Sequence, residues 1–361
     1  MVDFERIKST IENAKNIIIV INKKADKDTI SAGLSVFFAL KNKNVFIPKE
    51  KNPTELFNFL SEDASKKIII SLKNEISEIS YEKNNGGIDL FLIPKNIEEV
   101  NPENFSCKLI SEEKSFLSSP PIFDLIIVFG IQSFNYLESC FKENIDSIYN
   151  CTIINIDNNP QNEQYGEINL VKENSSISEN TSTLLKNVQE KISNKSAGFL
   201  LMGILSNLKE KKTNQTIPII KWLISEGGNL YFKNNKSELK RKLILLENTI
   251  KNLSYLEKEN LYISSLSEND FKNSNTSSAD LSFIIDKMKN YFSIPSFMLL
   301  WEGRSSLPSI KVVFYSSKEN IVNKIKNSYQ GSYKGQGGIF ITKKKDLPSA
   351  KKELISIFNY G

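Results

Sequence analysis

The sequence predicts an α/β protein of two domains: an N-terminal domain on a doubly wound, mainly parallel sheet, and a smaller C-terminal α/β domain, joined by a linking helix. Three observations carry this expectation. Residues 17–21, 124–130 and 152–157 form short, nearly continuous apolar runs rich in β-branched residues, the pattern of strands covered on both faces. Polar loops and segments of helical period separate these runs, as alternating βα units require. From Asn260 the pattern changes to shorter alternating strands. The expected division is a first domain over 1–235, a linking helix over 236–258 and a second domain over 259–361.

Taken in order, an opening helix carries Phe4, Ile7 and Ile11 at helical spacing. After the strand at 17–21 and the polar loop 22–29, Ile30, Leu34, Phe37, Phe38 and Leu40 recur at roughly helical spacing behind small Ser31, Ala32 and Gly33. Residues 45–47 read as the next strand, and Asn52-Pro53 opens a short helix to Leu60 by a cap and a first-turn proline. Strand patterns at 67–72, 75–81 and 88–93 follow, with a hairpin turn at Asn84-Asn85-Gly86-Gly87, and look like an inserted meander. Ser118-Ser119-Pro120-Pro121 breaks the chain before the strand at 124–130, and a helix over 134–149 leads to 152–157.

A strand at 167–171 precedes a helix beginning near Thr181 and helical patterns at 197–208, 217–226 and 236–253. Gly227-Gly228 ends the second of these, and the third is charged enough to be the linking helix. Beyond it, strands at 261–266, 297–301 and 310–315 alternate with helices at 279–292, 320–329 and 348–358.

Composition narrows the chemistry. The chain has no histidine, so the commonest general base and commonest metal ligand are both absent. Of 47 basic residues only Arg6, Arg241 and Arg304 are arginine, which leaves few planar phosphate clamps. A net charge of +5 does not by itself imply nucleic acid. Cys107, Cys140 and Cys151 are too scattered for a disulfide framework or a zinc site and read as core thiols in a reducing compartment. The opening Met-Val-Asp-Phe-Glu-Arg lacks the pattern of a signal peptide, and no apolar run approaches the length of a membrane span. The expected location is cytoplasmic.

The stretch that stands out is the strand ending in Asp157-Asn158-Asn159, with Asn162 just beyond. The carboxyl end of a strand in a doubly wound sheet is where ligands bind. The residues there suit metal chemistry poorly, because an amide offers only a neutral oxygen and an NH2.

The ordered segments resemble the DHH phosphoesterase superfamily with its DHH-associated C-terminal domain, in the branch of RecJ-type exonucleases and oligoribonuclease/nucleotide phosphatases. Its first motif, strand then His-x-Asn-Pro-Asp-x-Asp, is matched by Asn22-Lys23-Lys24-Ala25-Asp26-Lys27-Asp28. The second, a strand ending in a metal-bridging Asp, runs here from Asp124-Leu125 to Gly130. Asp-His-His is matched by Asp157-Asn158-Asn159, and a later ligand Asp by Asn207. In the C-terminal domain the family's strand Arg is Tyr315, and its glycine-rich loop is Gly331 to Gly338, with Lys334 at the histidine position.

The resemblance implies a two-metal phosphoesterase using Mn2+ or Mg2+. The departures at Asn22, Gly130, Asn158, Asn159, Asn207, Tyr315 and Lys334 instead predict a degenerate, catalytically inactive member with no cofactor. Its retained scaffold would bind a nucleotide, a short single-stranded oligonucleotide or a protein partner, or pair as a homodimer, with no membrane role. One alternative is an active metal-dependent phosphoesterase, cleaving short oligonucleotides or 3′-phosphoadenosine 5′-phosphate-like nucleotides, in which Asp26, Asp28 and Asp157 hold a single metal. The other is a purely structural subunit.

At the residues, Asp26 and Asp28 read either as a residual metal site or as loop acids, with Asp28 capping the helix that starts near Thr29. Asp157 reads as an orienting acid, or as one held by local N–H groups beside an Asx turn. Gly331, Lys334, Gly337 and Gly338 read as a phosphate-binding loop or as a tight turn needing positive φ.

Overall fold

The computed structural model describes residues 3–40, 42–47, 65–72, 76–84, 87–95, 105–112, 123–141, 148–189, 191–230, 237–303 and 309–359. The chain forms two compact units, one of Met1–Pro48 with Pro120–Gly361 and the other of Lys49–Ser119. The helix expected from Asn52-Pro53 lies outside the described residues, as do the break at 118–121 and residues 142–147 of the expected 134–149 helix, whose described part ends at Cys140 with Phe141 as its C-cap.

The chain opens with α1 (Phe4–Asn13), whose first turn is capped by the Asp3 carboxylate and which buries Ile7 and Ile11. β1 (Asn16–Ile21) follows, then α2 (Lys27–Ala39) and β2 (Asn44–Phe46). The smaller unit holds β3 (Ser65–Leu72), β4 (Ile76–Asn84), β5 (Gly87–Pro94) and β6 (Phe105–Glu112). β4 and β5 form the expected hairpin, but β3 pairs antiparallel with β6, so the described strands are two separate pairs rather than a meander. The strand β6 is not among those that the sequence pattern predicts.

The chain then re-enters the larger unit with β7 (Leu125–Phe129), α3 (Phe134–Cys140), β8 (Thr152–Asp157) and β9 (Ile168–Val171). Strands β2-β1-β7-β8-β9 make a five-stranded sheet in which every neighbouring pair is parallel. Burial along β1, β7 and β8 is nearly complete, which is why their sequences are continuous apolar runs. The chain leaves β1 toward β2 on one side and β7 lies on the other. The strand order therefore reverses between β1 and β7, and their carboxyl ends mark the topological switch point.

α4 (Ile177–Val188) starts four residues before the expected Thr181, because Ser176 caps it by accepting from the Glu179 N–H. α5 (Asn194–Asn207), α6 (Thr216–Ser225) and α7 (Ser237–Lys251) lie close to the predicted positions.

The C-terminal part is a six-stranded sheet whose strands lie in the order β10 (Ser254–Leu256), β11 (Leu261–Leu266), β12 (Ser296–Gly303), β13 (Ser309–Ser316), β15 (Gly337–Ile341) and β14 (Gly331–Lys334). Within it, β11 and β12 pair in parallel, while β12 pairs antiparallel with β13. Leu261, Met298, Val312, Phe314 and Phe340 pack on Ile321, Ile325, Ala350 and Leu354 from two amphipathic helices, Glu319–Ser328 and Leu347–Asn359. The single helix expected over 279–292 is three pieces: a 3-10 turn at Ser278–Asp280, an α segment at Leu281–Asp286 and a π turn at Lys287–Tyr291. Gly331 to Gly338 is not an open loop. β14 (Gly331–Lys334) and β15 pair as a hairpin, and Gly335 turns the chain at φ +57°.

Candidate active site

Asp26, Asp28, Asn22, Gly130, Asp157, Asn158 and Asn159 are set at or near the carboxyl ends of β1, β7 and β8, around the switch point. Each has a defined structural partner.

Asn22 follows β1 directly. Its Nδ2 donates to the Gly130 carbonyl at 2.7 Å, and its Oδ1 accepts from Lys24 N at 2.9 Å and from the Tyr136 hydroxyl at 3.3 Å. The amide therefore spans the crevice between β1 and β7. Gly130 itself sits at φ +65°, where only glycine rests without strain, and a Cβ there would lie 2.9 Å from Thr29 Cγ2. A carboxylate-bearing residue at this position would meet both penalties.

Asp26 is the N-cap of α2: its Oδ1 accepts from Thr29 N at 2.8 Å and from Thr29 Oγ1 at 2.7 Å. This corrects the expectation that Asp28 caps that helix. Asp28 lies inside the first turn of α2, is 1% exposed, and caps a different helix. Its Oδ2 accepts from Ile177 N at 2.7 Å and its Oδ1 from Ser178 N at 2.9 Å, at the start of α4. Two otherwise unpaired N–H groups of that helix are satisfied by an acid 149 and 150 residues away. Burial pushes the Asp28 carboxyl above its ordinary range, opposed by the bonds from Ser178 and Ile177, while the nearby Asp26 adds to the rise. Asn207, at the end of α5, donates its Nδ2 to Asp28 Oδ2 at 3.2 Å and to Asp26 Oδ2 at 3.4 Å.

Asp157 is 3% exposed. Its Oδ1 accepts from Asn158 N at 2.7 Å and Asn159 N at 3.2 Å, and its Oδ2 from Asn162 Nδ2 at 2.7 Å. Asn159 forms the expected Asx turn by accepting from Gln161 N at 2.8 Å, whereas Asn158 turns away to donate to the Ser175 carbonyl at 3.0 Å. Behind this sits a chain of amides in which Asn162 stood out in the sequence but its partner Asn155 did not. Asn155, fully buried inside β8, donates to Asn162 Oδ1 at 2.7 Å and to Asn169 Oδ1 at 3.1 Å. The available signal was a lone Asn in an otherwise β-branched strand, since a buried amide must find partners.

The remaining predicted residues belong to the C-terminal sheet. Tyr315 is 8% exposed and donates its hydroxyl to the Ile294 carbonyl at 3.0 Å, with its ring against Phe297. The glycines of the hairpin are explained by close packing: a Cβ at Gly337 would lie 2.6 Å from the Phe314 carbonyl, one at Gly338 2.4 Å from Tyr333 Cδ1, and one at Gly331 2.5 Å from the Ile339 carbonyl. Lys334 is exposed at the end of β14.

A pair of Mn2+ or Mg2+ ions does not fit this donor set. Such ions need several anionic oxygens free to coordinate. Among the described residues no group of three or more His, Cys, Asp or Glu side chains is placed to hold a metal ion. Every oxygen of Asp26, Asp28 and Asp157 accepts from a protein donor. At the end of β7 the structure has a left-handed glycine, Gly130, close to Thr29.

No protein-family model matches the chain, and no curated protein matches it. Among solved structures it is similar to an exopolyphosphatase-related protein from Bacteroides fragilis, at 14% identity over 99% of this chain and 94% of that one, with a TM-score of 0.42. It is also similar to a Methanococcus jannaschii protein assigned to the family II inorganic pyrophosphatases, at 12% identity over 95% of this chain and 99% of that one, with a TM-score of 0.33. Likenesses of this size assign neither family nor function.

Proposed function

We propose that this chain has the scaffold of a DHH-type phosphoesterase without its metal-dependent chemistry, and serves as a binding protein for a nucleotide or a short single-stranded oligonucleotide. The observation that carries the reading is the state of the three acids. Asp26, Asp28 and Asp157 are each engaged by protein N–H and O–H donors, so none is poised to deprotonate water or to hold a metal. Support for an anionic ligand comes from Lys23, Lys24 and Lys27, exposed around the switch point, and from exposed Lys334.

Binding is tested by thermal melting with adenosine 5′-monophosphate, 3′-phosphoadenosine 5′-phosphate and a trinucleotide in EDTA. Binding raises stability by about 2.7 kcal/mol when ligand stands at a hundredfold its dissociation constant, so the expected result is a saturable rise in Tm without metal. Loss of that rise in Lys334→Ala would locate the contact on the hairpin; loss in Lys23→Ala/Lys27→Ala would locate it at the switch point. Melting curves unmoved by all three probes would reject the binding role in favour of a structural subunit.

A further inference from the structure

We infer that the side-chain amide of Asn207 stands in the place of a cation between Asp26 and Asp28, making this cluster a metal-free staple of three helix ends. The inference rests on the non-catalytic reading of the site and goes beyond it, since it assigns a named residue the work that an ion would otherwise do.

Two carboxylates only two residues apart, both within reach of one amide, repel each other unless something positive lies between them. The Asn207 amide nitrogen carries two N–H bonds, and it lies 3.2 Å from Asp28 Oδ2 and 3.4 Å from Asp26 Oδ2. It thus offers the partial positive end of a dipole to both acids at once. The three residues serve three helix ends, although Asp26 and Asp28 both sit at the start of α2. Asp26 caps the start of α2, Asp28 caps the start of α4, and Asn207 is the last residue of α5.

The approach of α5 is built in one turn earlier. Gly203 faces Asp28 so closely that a Cβ there would lie 1.9 Å from Ser178 Oγ and 3.0 Å from Asp28 Oδ1. Ser178 Oγ in turn donates to the Asp28 carbonyl at 3.1 Å. A neutral amide needs no metal from solution, so the staple holds at any divalent-ion concentration. Replacing that amide by a carboxylate would bring three acids together with no donor between them, which is a coordination set for a hard cation.

The test is the melting temperature of wild type, Asn207→Ala and Asn207→Asp, each in EDTA and across a Mn2+ titration. Wild type is expected to melt at the same temperature throughout. Asn207→Ala should melt lower by about 2 °C or more, with or without Mn2+. Asn207→Asp should melt lowest in EDTA and regain stability saturably as Mn2+ is added.

An Asn207→Ala variant as stable as wild type would overturn the staple while leaving the non-catalytic reading intact. So would an Asn207→Asp variant with no Mn2+ response of its own. A saturable Mn2+ response in wild type would overturn both. If Asn207→Asp fails to fold in EDTA, expression in Mn2+ followed by chelation supplies the same comparison; a variant that folds in neither condition contradicts the inference, and Asn207→Ala remains decisive in any case.

Discussion

Gly130 shows how much one residue settles. Its φ of +65° and the nearness of Thr29 Cγ2 mean that any side chain here is penalised twice. Gly130→Ala should cost about 1–2 kcal/mol from the left-handed backbone alone, with crowding against Thr29 in addition. Urea denaturation measures it, and a loss below about 0.5 kcal/mol would mean that the position tolerates a Cβ. Some residues whose bonds are local were legible in the sequence, although the cap of α2 was assigned to Asp28 rather than to Asp26. Asp157 is held by the N–H groups of the next two residues and Asn159 closes an Asx turn, as the string of one acid and two amides suggested. Asp28 was not legible, because its partners Ile177 and Ser178 are distant in the chain and nothing near Asp28 announces them.

At the scale of elements, the parallel strands were readable because burial on both faces forces continuous apolar runs, whereas ends set by caps were less so. α4 begins at Ile177 on the strength of Ser176 and Asp28, ahead of the apolar pattern that suggested Thr181. The Ser176-x-x-Glu179 cap is a local signal that was passed over, whereas the Asp28 contact could be read only with the fold in hand. α7 carries a further buried acid, Glu247, 7% exposed, which accepts from the Leu230 N–H. Burial pushes its carboxyl up to about 7 from 4.5, against the Leu230 bond and the attraction of Lys251.

The folded protein therefore holds this proton more tightly than the unfolded chain. Its contribution is fully present below about pH 4.5 and is lost as pH rises through about 7. Glu247→Gln keeps an acceptor for Leu230 without the titration. The variant should gain on wild type across that window, by at most about 3 kcal/mol, as measured by denaturation at pH 5 and pH 8. Equal pH dependence in the two proteins would show that Glu247 titrates normally.

At the scale of the molecule, the larger unit joins a parallel sheet and a mixed sheet through specific contacts. Lys212, after α5, donates to the carbonyls of Phe292 and Ser293, and the Tyr291 hydroxyl donates to the Leu205 carbonyl at 3.0 Å. Burial holds the Lys212 ammonium below its usual range. The α/β class was legible from strand periodicity, and the C-terminal change of pattern marked the second sheet. The β3–β6 pairing was not, since pairing partners across an insertion leave no periodic trace. Among the described residues no helix is long and apolar enough to cross a membrane.

The switch point, where such a sheet offers a ligand its crevice, is spanned by Asn22 reaching to Gly130 and flanked by acids already bonded within the protein. That arrangement underlies the proposal that the scaffold lacks a metal-dependent hydrolytic site. The most direct measurement is release of phosphate or mononucleotide from 3′-phosphoadenosine 5′-phosphate and a short oligonucleotide in Mn2+, comparing wild type with Asp26→Asn/Asp28→Asn. Both proteins should stay at the rate of buffer alone. Mn2+-dependent turnover by wild type that the double variant abolishes would contradict it.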